Sequence, residues 1–231
     1  MSIRGKRYTS ARSSVEAGVA LGVDESLEKI LAMPSASYDE TILATICLGV
    51  DPAKNDQMVR SSVVLPKGLG KSRKVIVFAK GEKVTEANEA GADEVGLDEL
   101  VEKVQGGWTD FDVAIATPDV MGNVAKVAKV LGPRGLMPNP KTGTVTFDVG
   151  QAVSEAKAGK VEFRIDKGAN LHVPIGKKSF VTSDLKENLD ALVDAVIRSK
   201  PSSSKGVYLR KIFVSPSAGP SVMVDASQYR K

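Results

Sequence analysis

The sequence predicts a two-domain protein that combines α/β and α+β architecture, with an α/β domain inserted into a discontinuous two-layer α+β domain. Three observations lead to this prediction. Buried strands alternate with helices in the middle of the chain, half-buried strands occur in both flanks, and glycines mark the two points where the chain would cross between domains. We place the discontinuous domain at 1–67 and 160–231, and the inserted domain at 68–159.

The middle segment has the pattern of a parallel sheet covered by helices. Short, continuous apolar runs are typical of strands buried on both faces, and the stretches between them carry one apolar face per helical turn. The predicted elements are a strand at 75–79, a helix beginning at Glu82, a short strand at 94–96, a helix at 98–105, a strand at 113–116, and one continuous helix with Thr117 as N-cap, Pro118 at its first position and Gly132 after its end. The apolar stripe of that last helix is Val120, Val124, Val127 and Leu131.

The two flanks predict a sheet with one buried face. We predict four strands, at 42–48, 161–166, 171–175 and 207–215. Apolar and polar residues alternate cleanly at 161–166 and 171–175 and only partly at 42–48. A helix beginning at Ser183 carries Leu185, Leu189, Leu192 and Val196 on one face. Neither flank alone has enough strands for a sheet, so we predict that both ends of the chain contribute to the same domain.

Glycines lie at both predicted crossings between the domains. Gly68 and Gly70 precede the first strand of the insert, and Gly159 is its last residue. Two adjacent connecting segments of this kind are typical of a hinge. The alternative is that they are two loops within one rigid body.

Composition excludes several classes of protein. No apolar run approaches the ~20 residues of a membrane span, so we expect no membrane partner. Cys47 is the only cysteine and His172 the only histidine, which leaves no disulfide framework and no usual zinc site, and fits a cytoplasmic protein. We expect Cys47 to be a small buried residue and His172 to lie on the exposed face of its strand.

The distribution of charge favours a polyanionic partner. The formal net charge is only +4, but residues 160–231 hold 13 Lys and Arg against 7 Asp and Glu, and the first twelve residues hold four cations and no acid. Clustered positive charge of this kind is typical of nucleic-acid binding, although a basic solvated surface would look the same.

No motif for catalysis or cofactor binding is found in the sequence. Gly68-Leu69-Gly70-Lys71-Ser72 resembles the end of a phosphate-binding loop, but Leu65 stands where that loop needs glycine, and the segment precedes a strand instead of following one. His172 has no assignable nucleophile or acid beside it. We therefore predict no catalytic residue, no metal and no cofactor. A two-domain enzyme closing on a nucleotide or phosphorylated metabolite, and a protein-only adaptor, remain alternatives.

One loop is specific enough to indicate a family. Residues 127–145, VAKVLGPRGLMPNPKTGTV, closely resemble the motif of the bacterial large-subunit ribosomal protein L-one family, the universal stalk protein. The loop residues that carry this resemblance are Gly132, Pro133, Arg134, Gly135, Pro138 and Lys141. Further segments resemble the family in the expected order, namely 5–8, 48–52, 56–60, 64–68, 157–160, 200–201 and 205–206.

The resemblance implies both a fold and a function. The fold would be a discontinuous α+β domain with an inserted Rossmann-like α/β domain. The function would be to bind large-subunit rRNA at the mobile stalk of the large ribosomal subunit, and to help deacylated tRNA leave the exit site. Family members also commonly repress their own operon by binding an mRNA site that mimics the ribosomal one.

The resemblance also implies which residues bind RNA. The family's Lys-Phe-x-Glu-Thr element falls on Ser37, Tyr38, Asp39, Glu40 and Thr41, and its Thr-Met-Gly element falls on Ser217, Ala218 and Gly219. Ser37, Ala218 and Ile165 replace the family's usual lysine, methionine and asparagine. From charge, we expect phosphate contacts at Arg4, Lys6, Arg7, Lys54, Lys167 and Lys177, with His172 on the same surface. Arg134 and Lys141 would either meet RNA or belong to a loop that braces the insert.

Overall fold

The computed structural model describes residues 5–16 and 18–229. Its strands are β1 (Ala20–Leu21), β2 (Thr41–Leu48), β3 (Arg60–Val64), β4 (Val75–Phe78), β5 (Glu94–Gly96), β6 (Val113–Ala116), β7 (Lys160–Arg164), β8 (Asn170–Lys177), β9 (Leu209–Pro216) and β10 (Val222–Val224). Its α-helices are α1 (Lys6–Ser13), α2 (Val23–Ala32), α3 (Glu82–Glu89), α4 (Asp98–Gln105), α5 (Met121–Val124), α6 (Ala128–Leu131), α7 (Val149–Ala158) and α8 (Thr182–Arg198). The mixed α/β and α+β class predicted from the sequence is confirmed.

The chain divides into two compact units. Unit 1 comprises residues 1–70 and 161–231, and unit 2 comprises residues 71–160. Among the described residues, unit 1 holds a five-stranded sheet of order β1-β10-β9-β2-β8 and a two-stranded pair of β3 and β7. Unit 2 holds a three-stranded sheet of order β5-β4-β6.

The five-stranded sheet of unit 1 has one buried face. Ile42, Ala44, Ile46 and Leu48 are buried on β2, and the residues between them are half-exposed. The same alternation occurs on β8, and α2 and α8 pack against the sheet. The predicted stripe of α8 is buried at all four positions, because side chains at this spacing share one helical face.

Unit 2 has a parallel sheet with an apolar cluster on each face. Ile76 and Phe78 point to one cluster, with α4 and the 120–131 segment. Val75 and Val77 point to the other, with α3 and α7. Burial on both faces explains why β4 reads as a continuous apolar run rather than an alternating one.

The segment 118–131 departs from the predicted single helix. It consists of the 3-10 turn Pro118–Val120, then α5, the 3-10 turn Ala125–Val127 and α6. Thr117 makes no side-chain capping hydrogen bond. The predicted apolar stripe is nevertheless buried along its whole length. A 3-10 turn winds more tightly than an α-helical turn, so the same side chains can face the core without forming a regular helix.

Cys47 was expected to be buried, and this prediction is wrong. The residue lies half-exposed on the face of β2 opposite the core. Partial burial raises the pKa of its thiol above the ordinary value.

Candidate nucleic-acid interface

The end of the central sheet where β2 begins brings three distant segments together. Thr41 pairs with Lys177 at the end of β8. Its neighbour Ile42 pairs with Pro216 at the end of β9. β8 and β9 both run antiparallel to β2, so they end at the edge of the sheet where β2 begins. The loop before β2, the segment after β8 and the turn after β9 therefore meet at this edge. We call residues 35–41, 177–179 and 216–219 the sheet-end surface.

Thr41 links these segments through its carbonyl and its hydroxyl. Its carbonyl oxygen accepts hydrogen bonds from the amide and Oγ of Ser217, at 2.9 and 3.0 Å. Its Oγ1 accepts one from Nζ of Lys177 at 3.1 Å, and this ammonium also donates to the carbonyl of Asp39 at 3.3 Å. A lysine ammonium has three donors, so one remains for an anion.

Glu40 lies beneath this surface rather than on it. Its side chain is 1% exposed. The carboxylate accepts hydrogen bonds from the amides of Ala36, at 2.6 Å, and Ala218, at 3.0 Å. Its carbonyl oxygen accepts one from the amide of Lys178 at 2.8 Å. Glu40 therefore cannot be a surface contact as the sequence suggested, and it instead holds the backbone of all three segments.

Arg7 is also committed to partners inside the protein. Its guanidinium donates to the carbonyls of Ala218, at 2.7 Å, and Pro34, at 3.2 Å, and lies 3.5 Å from the Glu40 carboxylate. Its neighbour Lys6 is exposed, and we find no side-chain partner for it among the described residues. Arg4 lies outside the described residues.

The turn after β9 depends on a close approach by Gly219. Its amide donates to the carbonyl of Pro216 at 3.2 Å. A Cβ added at Gly219 would lie 2.6 Å from Cγ of Pro216, closer than real Cβ atoms come to a neighbour. A proline ring cannot swing aside, so this position requires glycine.

Tyr38 presents an aromatic ring at the same surface. It is 57% exposed, and with Ser35, Asp39 and Lys178 it lines a shallow concavity of about 350 Å³. Asp39 is held by Ser179, whose amide and hydroxyl donate to its two oxygens at 3.1 and 2.9 Å. An exposed aromatic ring can stack on an RNA base, and a hydroxyl on a neighbouring tight turn can form a hydrogen bond with a ribose.

The other predicted contacts lie toward the opposite end of the sheet. His172 pairs with Thr45 in the middle of β2, and Lys167 and Lys54 lie in the connections near the Leu48 end. Seven residue steps of β-strand separate Thr41 from that end, about 23 Å at the usual rise. The structure therefore divides the predicted contacts into two groups.

His172 and Lys54 both have partners within the protein. Nδ1 of His172 lies 3.1 Å from the Thr45 hydroxyl, and Nε2 lies 3.4 Å from the carboxylate of Asp166. Hydrogen bonds to its carboxylate lower the pKa of Asp166 below the ordinary value, and the bond from the backbone amide of Asn170 has the largest effect. Lys54 lies 3.9 Å from Asp51 in an exposed ion pair, which contributes little energy in water.

The family-like loop 132–145 lies in unit 2 and is internally braced. The carbonyl of Asn139 accepts hydrogen bonds from Thr142 and Thr144, which are both buried. Val145 forms a parallel bridge with Ala116 at the edge of the sheet. Arg134 donates to the hydroxyl of Thr109, and Lys141 is exposed. The contacts thus support a bracing role and leave Lys141 available to an anion.

Sequence reasoning missed Lys178 and Ser179, which help to shape the sheet-end surface. The basic pair at 177–178 directly after a predicted strand was the available signal. Among residues 5–16 and 18–229 no cluster of three or more metal-ligating side chains occurs. Within the same residues, no helix combines the length and hydrophobicity that crossing a bilayer would need.

Comparison with known proteins identifies one family. Residues 30–220 match the model described as the ribosomal protein L1p/L10e family. The large ribosomal subunit protein uL1 of Corynebacterium glutamicum strain R is 56% identical over 225 residues, which cover 97% of this chain and 95% of that protein. The protein of the same name from Corynebacterium efficiens matches with the same identity and coverage.

Proposed function

The chain belongs to the ribosomal protein L1p/L10e family, and from this premise we propose that it is a constituent of the large ribosomal subunit that binds large-subunit rRNA at the mobile stalk. Membership of a ribosomal protein family makes the chain a non-catalytic protein and removes the alternative of a two-domain enzyme. It also agrees with the expected cytoplasmic, ribosome-associated location.

The sheet-end surface is the observation that carries this proposal. Tyr38 offers an exposed ring to a base, Ser217 is exposed on the turn after β9, and Gly219 lets that turn close against the Pro216 ring. RNA differs from DNA by its 2′-hydroxyl and often presents unstacked bases, so a ring beside hydroxyls and exposed backbone suits it. Lys177 adds a positive charge at the same edge.

We propose that residues 1–67 and 160–231 form the rRNA-binding domain and that residues 68–159 form the insert. The excess of cations in 160–231 supports this assignment. Phosphate contacts from Lys6, Lys167 and Lys177 would supply affinity, and the sheet-end surface would supply selectivity. Gly68, Gly70 and Gly159 would serve as hinge residues.

Two finer functions are proposed for the same protein. On the ribosome, it would help deacylated tRNA to leave the exit site, with the insert carried by the hinge. Away from the ribosome, the same surface would bind a mimic of the rRNA site in the mRNA of its own operon and repress translation. Both rest on the family relationship.

A salt titration of RNA binding tests the proposal. The full-length protein would be titrated with a fragment of the large-subunit stalk rRNA and with an unrelated hairpin of equal length. We expect affinity for both to fall with salt, with a log–log slope of about 0.7–0.9 per phosphate neutralised, and a clear preference for the stalk fragment at every salt concentration. Equal affinity for the two RNAs would favour the adaptor alternative and contradict the proposal.

A further inference from the structure

We propose that Arg7 and Glu40 are positioning residues that hold the 216–219 turn in its RNA-binding shape, and that Arg7 is not a phosphate contact. This inference rests on the proposed rRNA-binding function. It differs from the reading of the sequence alone, in which Arg7 is one of several surface cations.

The first argument is where the donors of Arg7 point. One guanidinium nitrogen donates to the carbonyl of Ala218 at 2.7 Å, and another donates to the carbonyl of Pro34 at 3.2 Å. The planar fork of arginine fits two acceptors at once. Its partners are backbone atoms 211 and 27 residues away in the chain, so one side chain ties α1 to both the turn and the loop before β2.

The second argument is the burial of Glu40. A carboxylate that is 1% exposed must be compensated by donors and by an opposite charge. It receives amide donors from Ala36 and Ala218 and has the Arg7 guanidinium 3.5 Å away. Ala218 is therefore held at both polar atoms of its backbone, with its amide on Glu40 and its carbonyl on Arg7.

The consequence concerns the two neighbours of Ala218. Ser217 and Gly219 are the residues of the turn that we expect to meet RNA, and the orientation of both depends on the peptide groups of Ala218. Loss of Arg7 or Glu40 would leave the sheet intact, because β2, β8 and β9 pair through their own backbone. The turn would then be free to leave its binding conformation.

The salt dependence of binding separates a positioning role from a phosphate contact. The test compares Arg7→Ala, Arg7→Lys and the matched neighbour Lys6→Ala in binding to the stalk rRNA fragment. We expect Lys6→Ala to reduce the log–log salt slope by about 0.7–0.9. We expect Arg7→Ala to reduce affinity about tenfold, as loss of charge-assisted hydrogen bonds does, while the slope stays at the wild-type value. Arg7→Lys keeps the charge but loses the fork, so it should bind nearly as weakly as Arg7→Ala.

Amide exchange in the free protein provides a readout that does not involve RNA. We expect the Ala218 amide to exchange at least about tenfold faster in Arg7→Ala and in Glu40→Gln, and at the wild-type rate in Lys6→Ala. Unchanged exchange in Arg7→Ala, or a salt slope that falls as in Lys6→Ala, would overturn the inference. Faster exchange in a protein whose wild type does not prefer stalk rRNA would uphold the positioning role and refute the proposed function instead.

Discussion

The backbone amide of Lys67 donates a hydrogen bond to Oδ1 of Asn188, with the two atoms 3.0 Å apart. The same buried side chain donates from Nδ2 to the carbonyls of Gly68, at 3.0 Å, and Ile175, at 2.7 Å. Asn188 lies on α8, so one amide group fastens the segment that leaves unit 1 to both the helix and β8. Gly70 is packed against the ring of Phe180 in the same unit.

We expect Asn188→Leu to destabilise unit 1 by about 2–4 kcal/mol. It leaves the buried carbonyl of Ile175 without its partner, at a cost of about 1–3 kcal/mol, and the part-buried amide of Lys67 and carbonyl of Gly68 add less because water can partly replace the lost hydrogen bonds. Urea unfolding followed by circular dichroism measures this. The control is Glu187→Gln, which removes the exposed ion pair with Lys67 and should cost less than about 1 kcal/mol. Equal losses in the two variants would contradict the role assigned to the buried amide.

We expect Gly219→Ala to weaken binding to stalk rRNA at least tenfold, about 1.4 kcal/mol, because its Cβ would collide with the Pro216 ring. Binding to an unrelated hairpin should change much less, since that depends on charge. The matched control is Gly122→Ala in unit 2, where an added Cβ meets nothing within 4 Å. Wild-type affinity in Gly219→Ala would remove the turn from the proposed site.

We expect Tyr38→Ala to lose the affinity that one stacked base supplies, about 1–3 kcal/mol, and Tyr38→Phe to keep most of it. The ring is 57% exposed, so neither change should lower the thermal midpoint of unfolding appreciably. Fluorescence anisotropy with the stalk fragment distinguishes the variants. If Tyr38→Phe bound as weakly as Tyr38→Ala, the hydroxyl and not the ring would be the contact.

We expect stability at high pH to depend on Tyr208. Burial raises the pKa of its phenol from 10.0 to about 12, so the folded state holds this proton at pH values where the unfolded state has lost it. The contribution of this pKa difference to the free energy of unfolding is fully present below pH 10 and is lost as the pH rises toward 12. Tyr208→Phe should therefore show a shallower fall in unfolding free energy across this range than the wild type. Parallel curves would show that the phenol does not titrate in this way.

Local periodicity predicted the elements whose apolar residues follow one simple spacing. The stripe of α8 and the continuous run at β4 are buried as expected, because their spacing alone selects a face. Helix α1 was not predicted, because Ala11 is its only buried residue and its sequence therefore has no apolar face at helical spacing. The buried residues of α7, Val149, Ala152, Val153 and Ala156, have the spacing of one helical face, so this helix could have been predicted from the sequence.

The family resemblance predicted that Tyr38, Thr41 and residues 217–219 belong to the site. It did not predict which contacts hold these residues in place. Glu40 was grouped with them as a contact, and its burial makes it a support. One of the amides that Glu40 accepts from, that of Ala36, is near in the chain, but the other, that of Ala218, is 178 residues away. Burial of a charge is a property of the packed surroundings, which local sequence does not contain.

By itself, the sequence determined the class of the fold, the basic character of the C-terminal segment and the family of the protein. Each of these follows from composition, local spacing or motif order, which are properties of neighbouring residues. Only the tertiary structure decided that Arg7 meets Ala218, 211 residues away, and that Asn188 holds Lys67. Such contacts join groups whose separation along the chain carries no periodic signal, and they form only when the sheet has brought its distant ends to one edge.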